Sequence, residues 1–69
     1  MTQQINIILN GAPHRVFAGS ILALVQQIDL DPAKVAVECN LEIVPRSTLA
    51  NVMLVEGDVL EIVHFVGGG

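Results

Sequence analysis

One helical stripe of apolar residues lies in the middle of a 69-residue chain whose other apolar residues mostly alternate with polar ones. Ile21, Leu24, Val25 and Ile28 recur at helical spacing, and Ser20 is placed to cap the free amides of the first turn. A single helix can cover only one face of a sheet. The pattern therefore predicts an α+β fold in which one main helix packs on one face of a mixed sheet.

Short alternating segments on both sides of this helix predict about five strands in the order ββαβββ. Asn10-Gly11 is a strong two-residue hairpin signal between the first two strands. Pro13 places the return strand at or near a sheet edge, with its register starting only near Arg15. Asn40-Leu41 forms a later turn without the glycine expected in a tight hairpin. The predicted strands cover residues 5–9, 15–17, 35–39, 42–44 and 59–66. Residues 47–53 are predicted to form a loop with a short helical turn, and Glu56-Gly57-Asp58 a tight turn.

Length and composition predict a single domain over residues 1–69. Hydrophobic residues make up 52% of the chain and charged residues 14%, which favours a packed core over disorder. The net charge is −4, and the three cations Arg15, Lys34 and Arg46 are scattered, so nucleic acid is not an expected partner. The longest apolar run, residues 21–25, is too short to span a membrane, and no signal peptide precedes it. We expect a cytoplasmic protein that is a monomer when free.

The sequence contains no side-chain constellation typical of an enzyme. His14 and His64 fall on different predicted elements without metal-ligand spacing, so no metal site is expected. Cys39 alternates with Val35 and Val37 and is interpreted as a small apolar filler rather than a nucleophile. As the single cysteine, it also has no intramolecular disulfide partner.

The sequence ends in three glycines, Gly67, Gly68 and Gly69. Without Cβ atoms they neither pack nor hold a conformation, which predicts a flexible tail over residues 67–69 directly after the last strand. Such a tail can enter a narrow channel and present a carboxylate that is ionised at neutral pH. That carboxylate can attack the α-phosphate of ATP. A frayed terminus or a cloning remnant is the alternative reading.

The last predicted strand places Val63 and Phe65 on the face opposite Leu60 and Ile62. Because one helix buries one face of the sheet, we expect Val63 and Phe65 to form an exposed patch for docking a partner. Arg46 is interpreted as a solvated charge rather than a contact with an acidic partner surface.

Several segments of the chain resemble the ThiS family of thiamine-biosynthesis sulfur carriers, which has the ubiquitin-like β-grasp fold. The resemblance covers essentially the whole chain, and Val44-Pro45-Arg46 points to this family among its relatives. The segments that carry it are Asn10-Gly11, Ala18-Gly19-Ser20, Ile43-Val44-Pro45-Arg46, Glu56-Gly57-Asp58 and the terminal Gly68-Gly69.

The resemblance implies a protein co-substrate rather than an enzyme, with no permanently bound cofactor. An E1-like adenylyltransferase, ThiF, would use ATP and magnesium to adenylate the carboxylate of Gly69. Sulfur originating from cysteine, delivered by a donor such as a cysteine desulfurase, would replace the adenylate. The resulting thiocarboxylate on Gly69 would supply the thiazole synthase ThiG. The implied functional pair is Gly68 and Gly69, and Gly67 lengthens the tail.

Three alternatives stay open from the sequence. A molybdopterin-synthase small subunit shares the β-grasp fold and the terminal glycine pair but supplies a different synthase. A ubiquitin-like modifier would use the same adenylated terminus to form isopeptide bonds. A plain interaction module would act through Val63 and Phe65 alone, with an inert tail.

Overall fold

One helix packs against a five-stranded mixed sheet in the order ββαβββ, as the sequence predicts. A computed structural model describes residues 3–66, so the predicted tail of Gly67, Gly68 and Gly69 lies outside the described residues. The strands are β1 (Gln4–Leu9), β2 (Ala12–Phe17), β3 (Val35–Cys39), β4 (Glu42–Val44) and β5 (Val59–His64). The helix α1 is Ile21–Gln27, and short 3-10 turns cover Pro32–Lys34 and Arg46–Thr48.

The strands lie side by side in the order β2-β1-β5-β3-β4. The central pair β1 and β5 is parallel, and the other neighbours are antiparallel. The first and last strands in sequence therefore meet in the middle of the sheet, and β2 and β4 form its edges. No helix within residues 3–66 is both long and apolar enough to span a membrane.

The helix begins where the sequence predicts, because the Ser20 hydroxyl accepts a hydrogen bond from the Ala23 amide at 3.0 Å. Its buried face consists of Ile21, Leu24 and Val25. Full burial of one such side chain stabilises the fold by about 1.5 to 3 kcal/mol. The core joins this face to one side of the sheet and to the loop before β5, and it contains Ile5, Ile7, Leu9, Val16, Ile21, Leu24, Val25, Val35, Val37, Leu49, Leu54, Leu60 and Ile62.

The return strand β2 begins earlier than the sequence analysis predicts. Pairing starts at Ala12 opposite Leu9 and continues through Pro13 opposite Ile8, so the prediction of register only from Arg15 was wrong. The Ile8 amide donates to the Asp58 carbonyl on the other side of β1, at 2.9 Å. The Ile8 amide therefore does not bond to Pro13. A proline at this position of an edge strand leaves the hydrogen bonds between β1 and β2 uninterrupted. The prediction that β2 is an edge strand is confirmed.

Two boundaries near the end of the chain also differ from the predictions. The last strand ends at His64 rather than at Val66, and His64 is exposed although it follows the phase of buried Leu60 and Ile62. The helical turn predicted within residues 47–53 begins one residue earlier, at Arg46. Pairing with β3 sets the end of β5 at His64, because its partner Val35 is the first residue of β3.

The Asn10 side chain extends the contact between β1 and β5 beyond the end of the parallel ladder. Its Oδ1 accepts from the Ile62 amide at 2.8 Å, and its Nδ2 donates to the Ile62 carbonyl at 3.3 Å. The Asn10 amide itself donates to the Leu60 carbonyl at 2.9 Å. One side chain therefore takes the place of a further strand residue beside β5.

We expect Asn10→Gly to lower the free energy of unfolding by about 1 to 3 kcal/mol, because both polar groups of Ile62 lose their partners. Glycine keeps the positive φ of 50° at this position, so the change does not strain the turn. Asn10→Asp, which retains the acceptor for the Ile62 amide but not the donor, should lie between glycine and wild type. Urea unfolding measures all three, and equal stabilities would show that the Asn10 side chain does not support β5.

Candidate functional site at the end of the last strand

Strand β5 leads from the centre of the sheet to the predicted tail. Its neighbours hold it on both sides, and Leu60 and Ile62 are buried in the core. Beyond the strand, the Phe65 amide still donates to the Lys34 carbonyl at 2.8 Å. The chain is therefore anchored up to Phe65, and exposed Val66 is the last residue described. The predicted sulfur-carrying residue Gly69 and its neighbours Gly68 and Gly67 lie beyond it, so their roles stay predictions.

The turn before β5 is anchored to β1 by Glu56. The Glu56 Oε1 accepts from the Asn6 amide at 2.9 Å, and Oε2 accepts from Asn6 Nδ2 at 3.1 Å. The Gly57 amide donates to the Asn6 carbonyl at 2.8 Å, with Gly57 at a φ of 87° that favours glycine. The predicted tight turn is thus also a clamp on β1.

The start of β5 is anchored to the β3–β4 hairpin by Asp58 and Asn40. One Asp58 oxygen accepts from the Val55 amide at 2.8 Å, and the other accepts from Asn40 Nδ2 at 3.0 Å. Asn40 Oδ1 accepts from the Val59 amide at 2.9 Å. Sequence reasoning missed these links, since it read Asn40 and Asp58 only as turn residues.

Hydrogen bonds from the Asn6 amide and side chain lower the pKa of Glu56 below its ordinary value, and the charge of Arg15 contributes in the same direction. A lowered folded-state pKa means that the folded protein holds this proton less tightly than the unfolded chain. The contribution of Glu56 to stability is therefore complete above the pKa of the unfolded chain. It is lost as the pH falls through the lower pKa of the folded state.

We expect Glu56→Gln to flatten the acid limb of the stability curve, since glutamine carries no titrating proton at this site. Thermal unfolding followed from neutral pH to below the ordinary glutamate range measures the effect. Glu42→Gln, on edge strand β4, is the matched control because it removes the same charge without touching Asn6. If the two variants change the acid limb equally, the Asn6 contact is not its cause.

The two residues predicted to form a docking patch are both exposed, Val63 at 58% and Phe65 at 50%. Val63 pairs with Ala36 on the face of the sheet opposite the helix and lines a shallow groove of about 310 Å³. Phe65 lies beyond the end of β5 and does not line that groove. The other groove residues are Ala36, Val37, Glu38, Ile43 and Glu61.

This groove brings in residues that sequence reasoning did not select. Ile43 is 80% exposed, and Leu41, in the turn before it, is 87% exposed. Glu38 lies directly opposite Glu61 on the same open face. Like charges in such a pair destabilise a sheet. The alternation Glu42-Ile43-Val44 could have identified Ile43, because Val44 packs against the core and Ile43 must then face away from it.

The side chains interpreted as non-catalytic lie apart in the structure. His14 is on β2 and His64 ends β5, and residues 3–66 contain no group of three His, Cys, Asp or Glu side chains that could hold a metal ion. Cys39 is partly buried against the core, as predicted for an apolar filler. Burial first, and then the charges of Asp58 and Glu42, raise the pKa of the Cys39 thiol, which disfavours the nucleophilic thiolate.

Arg46 is exposed, in agreement with its interpretation as a solvated charge. Its guanidinium also donates a long hydrogen bond, 3.5 Å, from Nη2 to the Val35 carbonyl. Because Val35 pairs with His64, Arg46 lies near the end of β5. The segment Val44-Pro45-Arg46 thus ends close to the point where the chain leaves the sheet.

Comparison with known proteins assigns the family. The family model described as ThiS family matches residues 7–69. The Bacillus subtilis sulfur carrier protein ThiS is 45% identical over 51 residues, which cover 74% of this chain and 77% of the relative. A crystal structure of the thiamine biosynthesis protein ThiS from Geobacter metallireducens superposes with a TM-score of 0.79 at 28% identity, covering 94% of this chain and all of that one. The chain belongs to the ThiS family and has its ubiquitin-like β-grasp fold.

Two longer relatives are thiazole synthases. The protein from Magnetococcus marinus is 48% identical over 62 residues, and the one from Paramagnetospirillum magneticum is 47% identical over 64 residues. These matches cover 88% and 91% of this chain but only 19% and 20% of the relatives. The chain therefore spans about one fifth of the length of these two proteins.

Proposed function

We propose that this protein is a sulfur carrier for thiazole formation in thiamine biosynthesis and that its working group is the carboxylate of Gly69. The supporting observation is the anchoring of the chain up to the Phe65 amide, with Val66 alone between it and the glycine run. A fixed strand followed by residues without side chains suits a terminus that must reach a reaction centre inside another protein.

The reach of this terminus is short. Three residues span at most about 10 Å when fully extended. The partner must therefore come close to exposed Val66 and admit the glycines into a narrow channel. Gly68 would leave that channel free of side-chain contacts, and Gly67 would extend the reach from the sheet.

The proposed chemistry takes place in partner enzymes. In an E1-like adenylyltransferase (ThiF) supplied with ATP and magnesium, a Gly69 carboxylate oxygen attacks the α-phosphorus and pyrophosphate leaves. A sulfur nucleophile that derives from cysteine, through a donor such as a cysteine desulfurase, then attacks the acyl carbon and AMP leaves. If that sulfur arrives as a persulfide, a thiol reductant cleaves the acyl disulfide to the thiocarboxylate. The carrier itself acts as a co-substrate, not as an enzyme.

The proposed acceptor of the sulfur is thiazole synthase (ThiG). Support comes from the two relatives of that name, which contain a segment similar to nearly the whole of this chain. A molybdopterin-synthase subunit or a protein modifier would use the same activated terminus, but the family match favours the thiamine pathway.

We expect removal of Gly69 to abolish sulfur loading while leaving thermal stability unchanged, because the core lies entirely within residues 5–62. Intact mass spectrometry after incubation with the activating enzyme, ATP and a sulfur donor measures the loading. Wild type should gain the mass difference between sulfur and oxygen, and the mass of the natural protein shows whether Gly69 is its terminal residue.

Cys39→Ala is the control for this experiment, because it removes the one side-chain thiol of the chain. It should load sulfur as wild type does. Loading of the truncated protein, or loss of loading in Cys39→Ala, would contradict the assignment to Gly69. Conjugation to lysine in place of sulfur gain would indicate a modifier instead.

We further expect Phe65→Ala to weaken binding to the activating enzyme or to thiazole synthase about tenfold, and Val63→Ala to act in the same direction, since exposed aromatic residues often anchor interfaces. Phe17→Ala provides the matched control, because Phe17 has similar exposure but lies on edge strand β2. Calorimetric titration with each partner measures the affinities. Equal affinities for Phe65→Ala and Phe17→Ala would reject the patch.

A further inference from the structure

The chain contains the same tight turn twice, once with glycine and once with leucine. In the β1–β2 hairpin, Asn10 and Gly11 have φ values of 50° and 82°. In the β3–β4 hairpin, Asn40 and Leu41 have φ values of 52° and 71°. Glycine adopts this left-handed conformation freely, whereas an L-residue with a Cβ is strained in it. The β3–β4 turn is therefore less favourable than the β1–β2 turn, because it has leucine where the other has glycine.

Leu41 does not offset this strain by packing, since it is 87% exposed. The anchoring of the hairpin to β5 comes from its neighbour Asn40, whose side chain bonds Asp58 and Val59. Glycine at position 41 would keep these bonds and relieve the strain. A strained and exposed apolar residue of this kind indicates a role outside the fold itself.

Leu41 lies in the turn that leads into β4, and Ile43 of β4 lines an apolar groove on the open side of the sheet. Two residues further along, Ile43 is 80% exposed, and the groove beside it continues across β3 to Val63. We call this set the hairpin surface: Leu41, Ile43, Ala36 and Val63, together with Glu38 and Glu61.

The charges on the hairpin surface limit what can cover it. Glu38 stands between Ile43 on β4 and Glu61 on β5, so two carboxylates oppose each other within the apolar groove. Arg15 does not balance them, because it lies on β2 and hydrogen-bonds to Gln4 and Asn6 on β1. A partner that places a cation over this pair removes a repulsion that the free protein retains.

We propose that the hairpin surface docks thiazole synthase, with Leu41 inserted into an apolar pocket of the synthase and a basic side chain of the synthase over Glu38 and Glu61. The choice of partner rests on the proposed function and on the two thiazole synthases that contain a segment similar to this chain. The synthase would then contact the carrier at two places, the hairpin surface at the β3–β4 turn and the tail that follows β5.

Leu41→Gly tests the docking role, because it separates folding from binding. It should raise the midpoint of thermal unfolding by converting the turn to Asn-Gly. It should also weaken binding to purified thiazole synthase about tenfold, as loss of an interface anchor does. Glu61→Gln should weaken binding as well and reduce its dependence on salt.

Two control variants accompany Leu41→Gly. Gly11→Leu places the strained residue in the other hairpin, where a Cβ meets nothing within 4 Å, and should lower stability without changing the affinity for the synthase. Met53→Ala removes an exposed apolar side chain beside Ser20 at the start of α1, and should also bind as wild type does.

Three results would overturn the proposal. If wild type binds the synthase and Leu41→Gly binds equally well, the hairpin surface is not the docking site, and the proposed function stands. If Leu41→Gly loses affinity only for the activating enzyme, that enzyme is the occupant instead. If wild type does not bind the synthase at all, both this inference and the proposed sulfur acceptor are wrong.

Discussion

The placement of β5 between β1 and β3 is the constraint on which the rest of the structure depends. Its parallel ladder with β1 is short, with register pairs only at Ile8 with Val59 and Leu9 with Leu60. Side chains from other elements extend it: Asn10 bonds both polar groups of Ile62, and Asn40 bonds the Val59 amide. These contacts hold β5 in the middle of the sheet, and the hydrogen bond from the Phe65 amide to the Lys34 carbonyl anchors the chain just beyond the strand. Strand β5 therefore holds the sheet together and also leads to the terminus that carries the proposed function.

Most of the architecture follows from local patterns in the sequence. The helical stripe with its Ser20 cap and the alternating segments predicted the elements and their order, because each records which face a residue buries. The start of β2 was missed, because Pro13 interrupts the pairing only if the Ile8 amide points toward β2, and the sequence does not show which way that amide points. The clamps at Glu56 and Asn10 were also missed, because they join residues about fifty apart in sequence and leave no periodic signal.

The candidate site was predictable only in part. The exposure of Val63 follows from the alternation of the last strand, whereas Phe65 is exposed as predicted but lies beyond the end of β5. The strained exposed Leu41 could not be recognised, because a leucine after asparagine signals neither a left-handed turn nor exposure until the hairpin is formed. The opposition of Glu38 and Glu61 likewise depends on the β3–β5 register, which no local pattern specifies.

Sulfur delivery from the terminus is the central claim, and isotopic labelling tests it most directly. The protein would be loaded with labelled sulfur at Gly69 and mixed with thiazole synthase and its other substrates in the presence of excess unlabelled sulfide. The account predicts that the label enters the thiazole ring and that the carrier returns to its carboxylate mass. Unlabelled product, or product formed equally well without the carrier, would contradict it.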